Sequence, residues 1–153
     1  MRKKISEADD ALSAWDKSID EDNTTWLKGI VEKYGWPTIS DIGPDGSQAA
    51  WLLVQHADHD PDFQSQCLAL MHALPKGEVK PANIAYLEDR VRVAQGKPQL
   101  YGTQFYREGG KFAPQPIEDP DNLEKRRQAM GLEPFSENQE RVKNYYSPKS
   151  QPL

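Results

Sequence analysis

The segment SQAAWLLVQHADHDP, from Ser47 to Pro61, decides the architecture, because an apolar helix in it runs directly into a polar corner. Apolar residues lie almost all round the predicted helix, which indicates burial on several sides. Asp60 and Pro61 are then the residue types of an N-cap and a first helical position, so a new helix begins there. Two of the three histidines, His56 and His59, fall at the corner between the two helices.

Helical spacing of apolar residues continues on both sides of this segment. Upstream, we expect a first helix over 5–19 that ends at DEDN (20–23), a second from Asn23 to Gly35, and a turn-rich loop over 38–47. Downstream, Cys67 lies on the apolar face of the helix that begins at Asp60-Pro61. A further helix runs from Pro81 to Gly96. Two more helices follow, one from Asp119-Pro120 to Gly131 and one opening at Ser136.

Between these downstream helices the segment QLYGTQFYREGGKFAPQP (99–116) changes character. Aromatic and β-branched residues on both sides of REGG predict a β-hairpin with a glycine turn. Gly102 within a predicted strand signals a bulge or the close approach of another group. The fold class is therefore mainly α (α+β), with about six to seven helices and one packed hairpin. We expect one globular domain over 1–146 and a flexible tail over 147–153.

Composition narrows the classes of protein. The 153 residues are 37% hydrophobic and carry a net charge of −5, so the electrostatic footprint of a nucleic-acid-binding protein is absent. The start MRKKISEADD lacks the apolar core of a secretory signal, and no apolar run is long enough to span a bilayer. We expect a cytoplasmic protein without membrane or nucleic-acid partners. The oligomeric state is not indicated. The single cysteine, Cys67, lies on an apolar face and is interpreted as packing.

Helical phase, at about 100° per residue, selects polar side chains that point away from solvent. On the helix that begins at Pro81, Arg90 is predicted to project toward the core with Asp89 near it. His56 projects between apolar directions of its helix, whereas His72 is expected to face solvent. On the hairpin, Gln104 shares a face with apolar residues. We therefore predict that His56, Asp89, Arg90 and Gln104 form one polar cluster.

Five stretches together carry a resemblance: GWPT, AAWLLVQHADHDPDFQ, AYLEDRV, QLYGTQ and RRQAMGLEPF. They resemble a bacterial domain-of-unknown-function family with a QHAD stretch, a YLxDRV helix and a QxYGTQ strand. The resemblance spans roughly Trp26 to Glu140 and supplies no activity. It implies that the family's recurrent polar positions are matched by Gln55, His56, Asp58, Asp89, Arg90, Tyr101, Thr103 and Gln104.

The first functional hypothesis is an enzyme with a metal-independent polar site and no cofactor. His56 is the general acid or base, and Asp89 or Asp58 orients its ring. Arg90 binds a small anionic substrate or peptide through its guanidinium group. The remaining candidates fix the substrate by hydrogen bonds, namely Gln55, Tyr101, Thr103 and Gln104.

Two alternatives stay open. In the first, the histidine, aspartate, arginine and glutamine side chains satisfy one another structurally, and the chain is a non-catalytic binding, immunity or adaptor protein. In the second, HADHD supplies metal ligands for a hydrolase, with His56, Asp58 and His59 as the first candidates. The second is weaker, because the histidines lack a recognised ligand spacing. We therefore expect no tightly held transition metal.

Overall fold

The computed structural model describes residues 19–145. Its contacts divide the chain into two compact units, residues 1–79 and 80–153, and each is described by itself. We call them the first unit and the second unit.

The first unit begins with helix α1, which occupies 19–34 of the described residues. The prediction that DEDN (20–23) interrupts the helix is wrong, because these residues are helical throughout. The hydroxyls of Thr24 and Thr25 donate to the carbonyls of Asp20 and Glu21, one turn earlier. The apolar residues predicted to form an earlier helix, apart from Ile19, lie outside the described residues.

Helix α2 (Ile39–Gln55) includes most of the stretch that the sequence indicated as a loop. The Thr38 hydroxyl caps it by accepting a hydrogen bond from the Asp41 amide. The turn signals GP and DG mark only a kink, since Gly43 alone has non-helical torsions (φ 81°, ψ 167°) and Pro44 follows it inside the helix. The expected loop over 38–47 is therefore a kinked first part of α2.

Helix α3 (Pro61–His72) starts where the sequence predicts. Asp60 is its N-cap, and its carboxylate accepts a hydrogen bond from the Phe63 amide at 3.1 Å. The core of the first unit contains buried apolar side chains from α1, α2, α3 and the α2–α3 connection, including Leu27, Val31, Val54, Ala57, Phe63, Cys67 and Met71. His72 is exposed, as predicted.

Cys67 is fully buried, in agreement with its interpretation as a packing residue. Burial raises the pKa of its thiol to about 12, with a smaller contribution from the charge of Asp60. The reactive thiolate is therefore rare at pH 8. We expect the native chain to react with a thiol reagent such as DTNB far more slowly than the chain unfolded in guanidinium. Labelling of the native chain at the rate of free cysteine would contradict this burial.

The second unit is built around helix α4 (Pro81–Ala94). No residue from 82 to 93 is exposed, and Ala85, Leu87, Asp89 and Val91 are buried. The sequence indicates a solvent face at Glu88 and Arg92. These two side chains form the predicted i,i+4 pair at 4.0 Å but are only partly exposed.

The hairpin follows as strands β1 (Phe105–Glu108) and β2 (Lys111–Pro114), paired antiparallel with Phe105 opposite Pro114. Gly109 and Gly110 both have positive φ, as a two-residue type I′ turn requires. The expectation that the first strand begins at Gln99 is wrong. Residues 100–104 form a bent segment, because several of their amides bind side chains instead of a neighbouring strand.

A 3₁₀ turn (Pro120–Asn122) leads into α5 (Leu123–Ala129), and α6 (Phe135–Tyr145) completes the described chain. The architecture is mainly α with one β-hairpin, as predicted from the sequence. Among residues 19–145, no helix combines the length and apolar character needed to cross a membrane. The single-domain boundary at 146 remains a prediction.

Candidate functional site

The side chain of Asp89 is fully buried and binds the segment 99–104, which we call the QLYGTQ loop. Its Oδ1 accepts hydrogen bonds from the amides of Leu100 (2.8 Å) and Tyr101 (3.0 Å). Its Oδ2 accepts hydrogen bonds from the amide (3.0 Å) and the hydroxyl (2.8 Å) of Thr103. A carboxylate offers about four acceptor positions, so these four bonds fill it.

Two opposing effects act on the ionisation of Asp89. Burial raises the pKa of its carboxyl above the ordinary value, while the hydrogen bonds from Thr103, Leu100 and Tyr101 lower it. Since both oxygens point at donors of the loop, the carboxylate serves to hold the main chain in its bend.

Other long polar side chains bind the carbonyls of the same loop. Gln99 is buried, and its Nε2 donates to the carbonyls of Gln104 and Gln115, both at 2.9 Å, while its Oε1 accepts from the Gln104 amide. The Nε of Arg126 donates to the Leu100 carbonyl at 2.7 Å. Arg127 donates to the carbonyls of Tyr101 at 2.5 Å and Glu133 at 2.8 Å. Side chains thus take the place of main-chain partners in the middle of the loop, whereas Gln99 and Gln104 at its ends keep main-chain hydrogen bonds to residues 115–118.

Gly102 occupies the tightest point of the loop. Its φ is +70°, and an added Cβ would lie 2.9 Å from the ring of Phe135. The close approach that the sequence suggested at this glycine is therefore confirmed, although it occurs in a loop and not in a strand.

Four candidate residues of the second unit form one connected group: Asp89, Tyr101, Thr103 and Gln104. Thr103 donates to Asp89, and Gln104 Nε2 donates to the Thr103 hydroxyl at 3.1 Å. Tyr101 contributes its amide and carbonyl to the same network, and burial is the main cause that raises the pKa of its hydroxyl. Arg90 is half-buried, so α4 turns Asp89 inward more completely than Arg90.

His56 belongs to the first unit, and its predicted inward orientation is wrong, because the residue is exposed. It is the C-cap of α2, with φ −85° and ψ 1°. Helical phase therefore stops at Gln55, which is buried, and does not predict the direction of the next side chain. The proposed clustering of His56 with the residues around Asp89 stays a prediction.

The corner between α2 and α3 forms one side of a cleft of about 400 Å³ in the first unit. The other side is formed by residues 20–21 of α1. The described residues that line this acidic cleft are Asp20, Glu21, His56, Asp58 and His59. Two imidazoles and three carboxylates therefore meet there, with no lysine or arginine among those lining residues.

Neighbouring bonds hold the corner in place. Gln64 is buried in α3, and its Nε2 donates to the carbonyl of Val54 at 3.0 Å and to the carboxylate of Asp58 at 3.1 Å. Asp60 pairs with Lys28 of α1, and this bond lowers the pKa of the Asp60 carboxyl. Asp60 thus serves as cap and ion-pair partner.

Within the described part of the chain, no three histidine, cysteine, aspartate or glutamate side chains are grouped so that they could hold a metal ion. The ligand set His56, Asp58 and His59 is brought to one cleft but not into such a group.

Sequence reasoning missed several residues of both regions. Asp20 and Glu21 were interpreted only as a helix break. Arg127 was not identified as buried, although its i,i+4 spacing from the apolar Leu123 places both on one face of α5. Gln99 has no comparable signal, because burial of one glutamine in a bent loop follows from tertiary contacts.

Comparison with known families shows which family the chain matches. The sequence model of a family described as "Family of unknown function (DUF6624)" matches residues 3–151. Neither the curated proteins nor the solved structures contain a match to this chain.

Proposed function

Since the chain belongs to the DUF6624 family, a family of unknown function, we propose a role from the geometry of its site. The role is that of a non-catalytic binding protein whose acidic cleft takes a cationic group of a partner. The observation that carries the proposal is the cleft of about 400 Å³ lined by three carboxylates and two histidines.

The charge of the cleft favours a cation. Ionised Asp20, Glu21 and Asp58 are acceptors only, and a lysine ammonium or arginine guanidinium offers several donors. A neutral imidazole of His56 or His59 adds a further acceptor. The hypothesis of a small anionic ligand bound by Arg90 draws no support from this cleft, whose described lining contains no lysine or arginine.

The hydrogen bonds made by the candidate residues of the second unit support a binding role for the protein over a catalytic one. Asp89, Thr103 and Gln104 were candidates for orienting a histidine or fixing a substrate, and their hydrogen bonds go to the QLYGTQ loop. Of the proposed catalytic set, only His56 and Asp58 line the cleft. This arrangement supports the structural alternative for the aspartate and the glutamine of the predicted histidine, aspartate, arginine and glutamine cluster.

Calorimetric titration of the full chain with hexalysine tests the proposal. We expect binding at low ionic strength that weakens as salt is added, because exposed charges are screened. The combined variant Asp20→Asn, Glu21→Gln, Asp58→Asn is expected to lose about tenfold or more in affinity, which corresponds to roughly 1.4 kcal/mol. Mass spectrometry is expected to recover the peptide unchanged.

The matched control removes the same number of exposed acidic charges in the second unit, by Glu108→Gln, Asp121→Asn and Glu137→Gln. This variant is expected to bind like the parent. Equal loss in both variants would mean that net charge alone attracts hexalysine, and the proposal would be wrong. Binding of inorganic phosphate to the cleft that is unchanged in both variants would also contradict the proposal.

A further inference from the structure

An apolar groove of about 410 Å³ lies between α1 and α2 in the first unit. Trp26 and Ile30 line it from α1, and Ile42, Ala49 and Leu53 line it from α2. Trp26 is 63% exposed and Ile42 is 49% exposed. Large apolar side chains exposed together along one groove mark an interaction surface more often than isolated exposed residues do.

The groove and the acidic cleft both involve helices α1 and α2. Leu53 lines the groove, and His56, three residues further along the chain, lines the cleft. Asp22, which is exposed, lies four residues before Trp26 and therefore on the same face of α1. On α1, Asp20 and Glu21 of the cleft precede Trp26 by one to two turns.

Carboxylates also adjoin the other end of the groove. Asp41 and Asp45 are exposed and stand on either side of Ile42 in the sequence. An occupant of the groove therefore meets acidic side chains at both of its ends. Such a surface is complementary to an apolar stripe with basic residues on its flanks.

We propose that the occupant is an amphipathic helix of a partner protein, with apolar residues at i, i+3, i+4 and i+7 and lysine or arginine on the flanks. A helix with these anchors is the usual ligand of an apolar groove between two helices. The assignment rests on the proposed function, because it places the basic flank of the helix in the acidic cleft.

Charge argues against two other occupants. Residues 1–18 of this chain contain four basic and four acidic side chains, so they have no net charge for the acidic rim to select. A second copy of the chain carries a net charge of −5 and would set one acidic surface against another.

The test uses three designed, labelled 18-residue peptides and the full chain, with fluorescence anisotropy as the readout. The first peptide has a leucine stripe and arginine flanks, the second replaces the leucines with glutamine, and the third replaces the arginines with glutamate. We expect the first to bind at least about tenfold tighter than the second, since burial of even one leucine contributes that much. The third is expected to bind more weakly than the first.

Two variants locate the contact. Trp26→Ala is expected to remove the gain from the leucine stripe while leaving binding of the glutamine peptide unchanged. Tyr34→Ala is the control, because Tyr34 is 71% exposed on the same helix and does not line the groove. It is expected to bind all three peptides like the parent.

The outcomes separate the two proposals. If the glutamine peptide binds at the cleft but the leucine stripe adds nothing, the helix assignment is wrong and the cationic cleft stands. If neither arginine peptide binds, both are wrong. A synthetic peptide of residues 1–18 that binds more tightly than the designed helix would overturn the assignment, as would a homodimer that Trp26→Ala dissociates in sedimentation.

Discussion

Replacing Asp89 with alanine is expected to destabilise the chain by about 4 kcal/mol and to lower its melting temperature by about 12 °C. The substitution removes the acceptor of three main-chain amides and one hydroxyl in the QLYGTQ loop. Each buried donor left without a partner costs about 1–3 kcal/mol. Chemical and thermal unfolding followed by circular dichroism measure the loss.

Graded variants separate the loss of hydrogen bonds from other effects. Thr103→Val removes one of the four bonds and is expected to cost about 1 kcal/mol. Asp89→Asn keeps one oxygen but turns an amide NH₂ toward donors of the loop. It is therefore expected to lower the free energy of unfolding nearly as much as Asp89→Ala does. A melting temperature within a few degrees of the parent for both Asp89 variants, together with loss of a chemical activity, would show that Asp89 is catalytic.

Replacing Arg127 with methionine is expected to cost about 3 kcal/mol, the second largest effect. Arg127 is 1% exposed, and burial lowers the pKa of its guanidinium. Methionine fills much of the volume but leaves the carbonyls of Tyr101 and Glu133 without these donors. Unfolding in urea, fitted with a common slope, gives the difference in free energy.

Arg126→Met is the matched control, because Arg126 also binds carbonyls of this region but is partly exposed. Water can replace its bonds to Asp119 and Glu118, so we expect a loss of about 1 kcal/mol. Asp89 and Arg127 bind the amide and the carbonyl of the same residue, Tyr101. The double variant is therefore expected to lose less than the sum of the single variants, and strict additivity would contradict a shared loop.

Local signals predicted the parts of the fold that local chemistry determines. The Asp60-Pro61 start of α3, the two-glycine hairpin turn and the burial of Cys67 each depend on a few neighbouring residues. On the regular helix α4, helical phase placed Arg90 toward the core with Asp89 near it, and of the two Asp89 is the more deeply buried.

The errors occur where tertiary contacts override such signals. The aspartates and the asparagine within 20–23 and the glycine and proline at 43–44 have low helix propensity, yet α1 and α2 continue through them. The segment 99–104 has strand-like residue types, but several of its amides donate to the carboxylate of Asp89, which lies on helix α4. No pattern within that segment indicates such a partner.

The acidic cleft and the network around Asp89 were also predicted only in part, because tertiary contacts complete both. The corner at QHADHD was recognised from its scarce titratable residues, but the contribution of α1 to the cleft depends on how three helices of the first unit pack. Sequence phase also could not reveal that the side chains around Asp89 bind a loop, because their partners are main-chain groups.

The central claim is that the first unit binds the partner while the network around Asp89 is structural. Titration of the isotopically labelled full chain with hexalysine, followed by amide chemical shifts, tests it most directly. The account predicts that shifts change at 20–21 and 56–59 and stay constant at Asp89 and 99–104. Changes confined to Asp89 and 99–104 would contradict it.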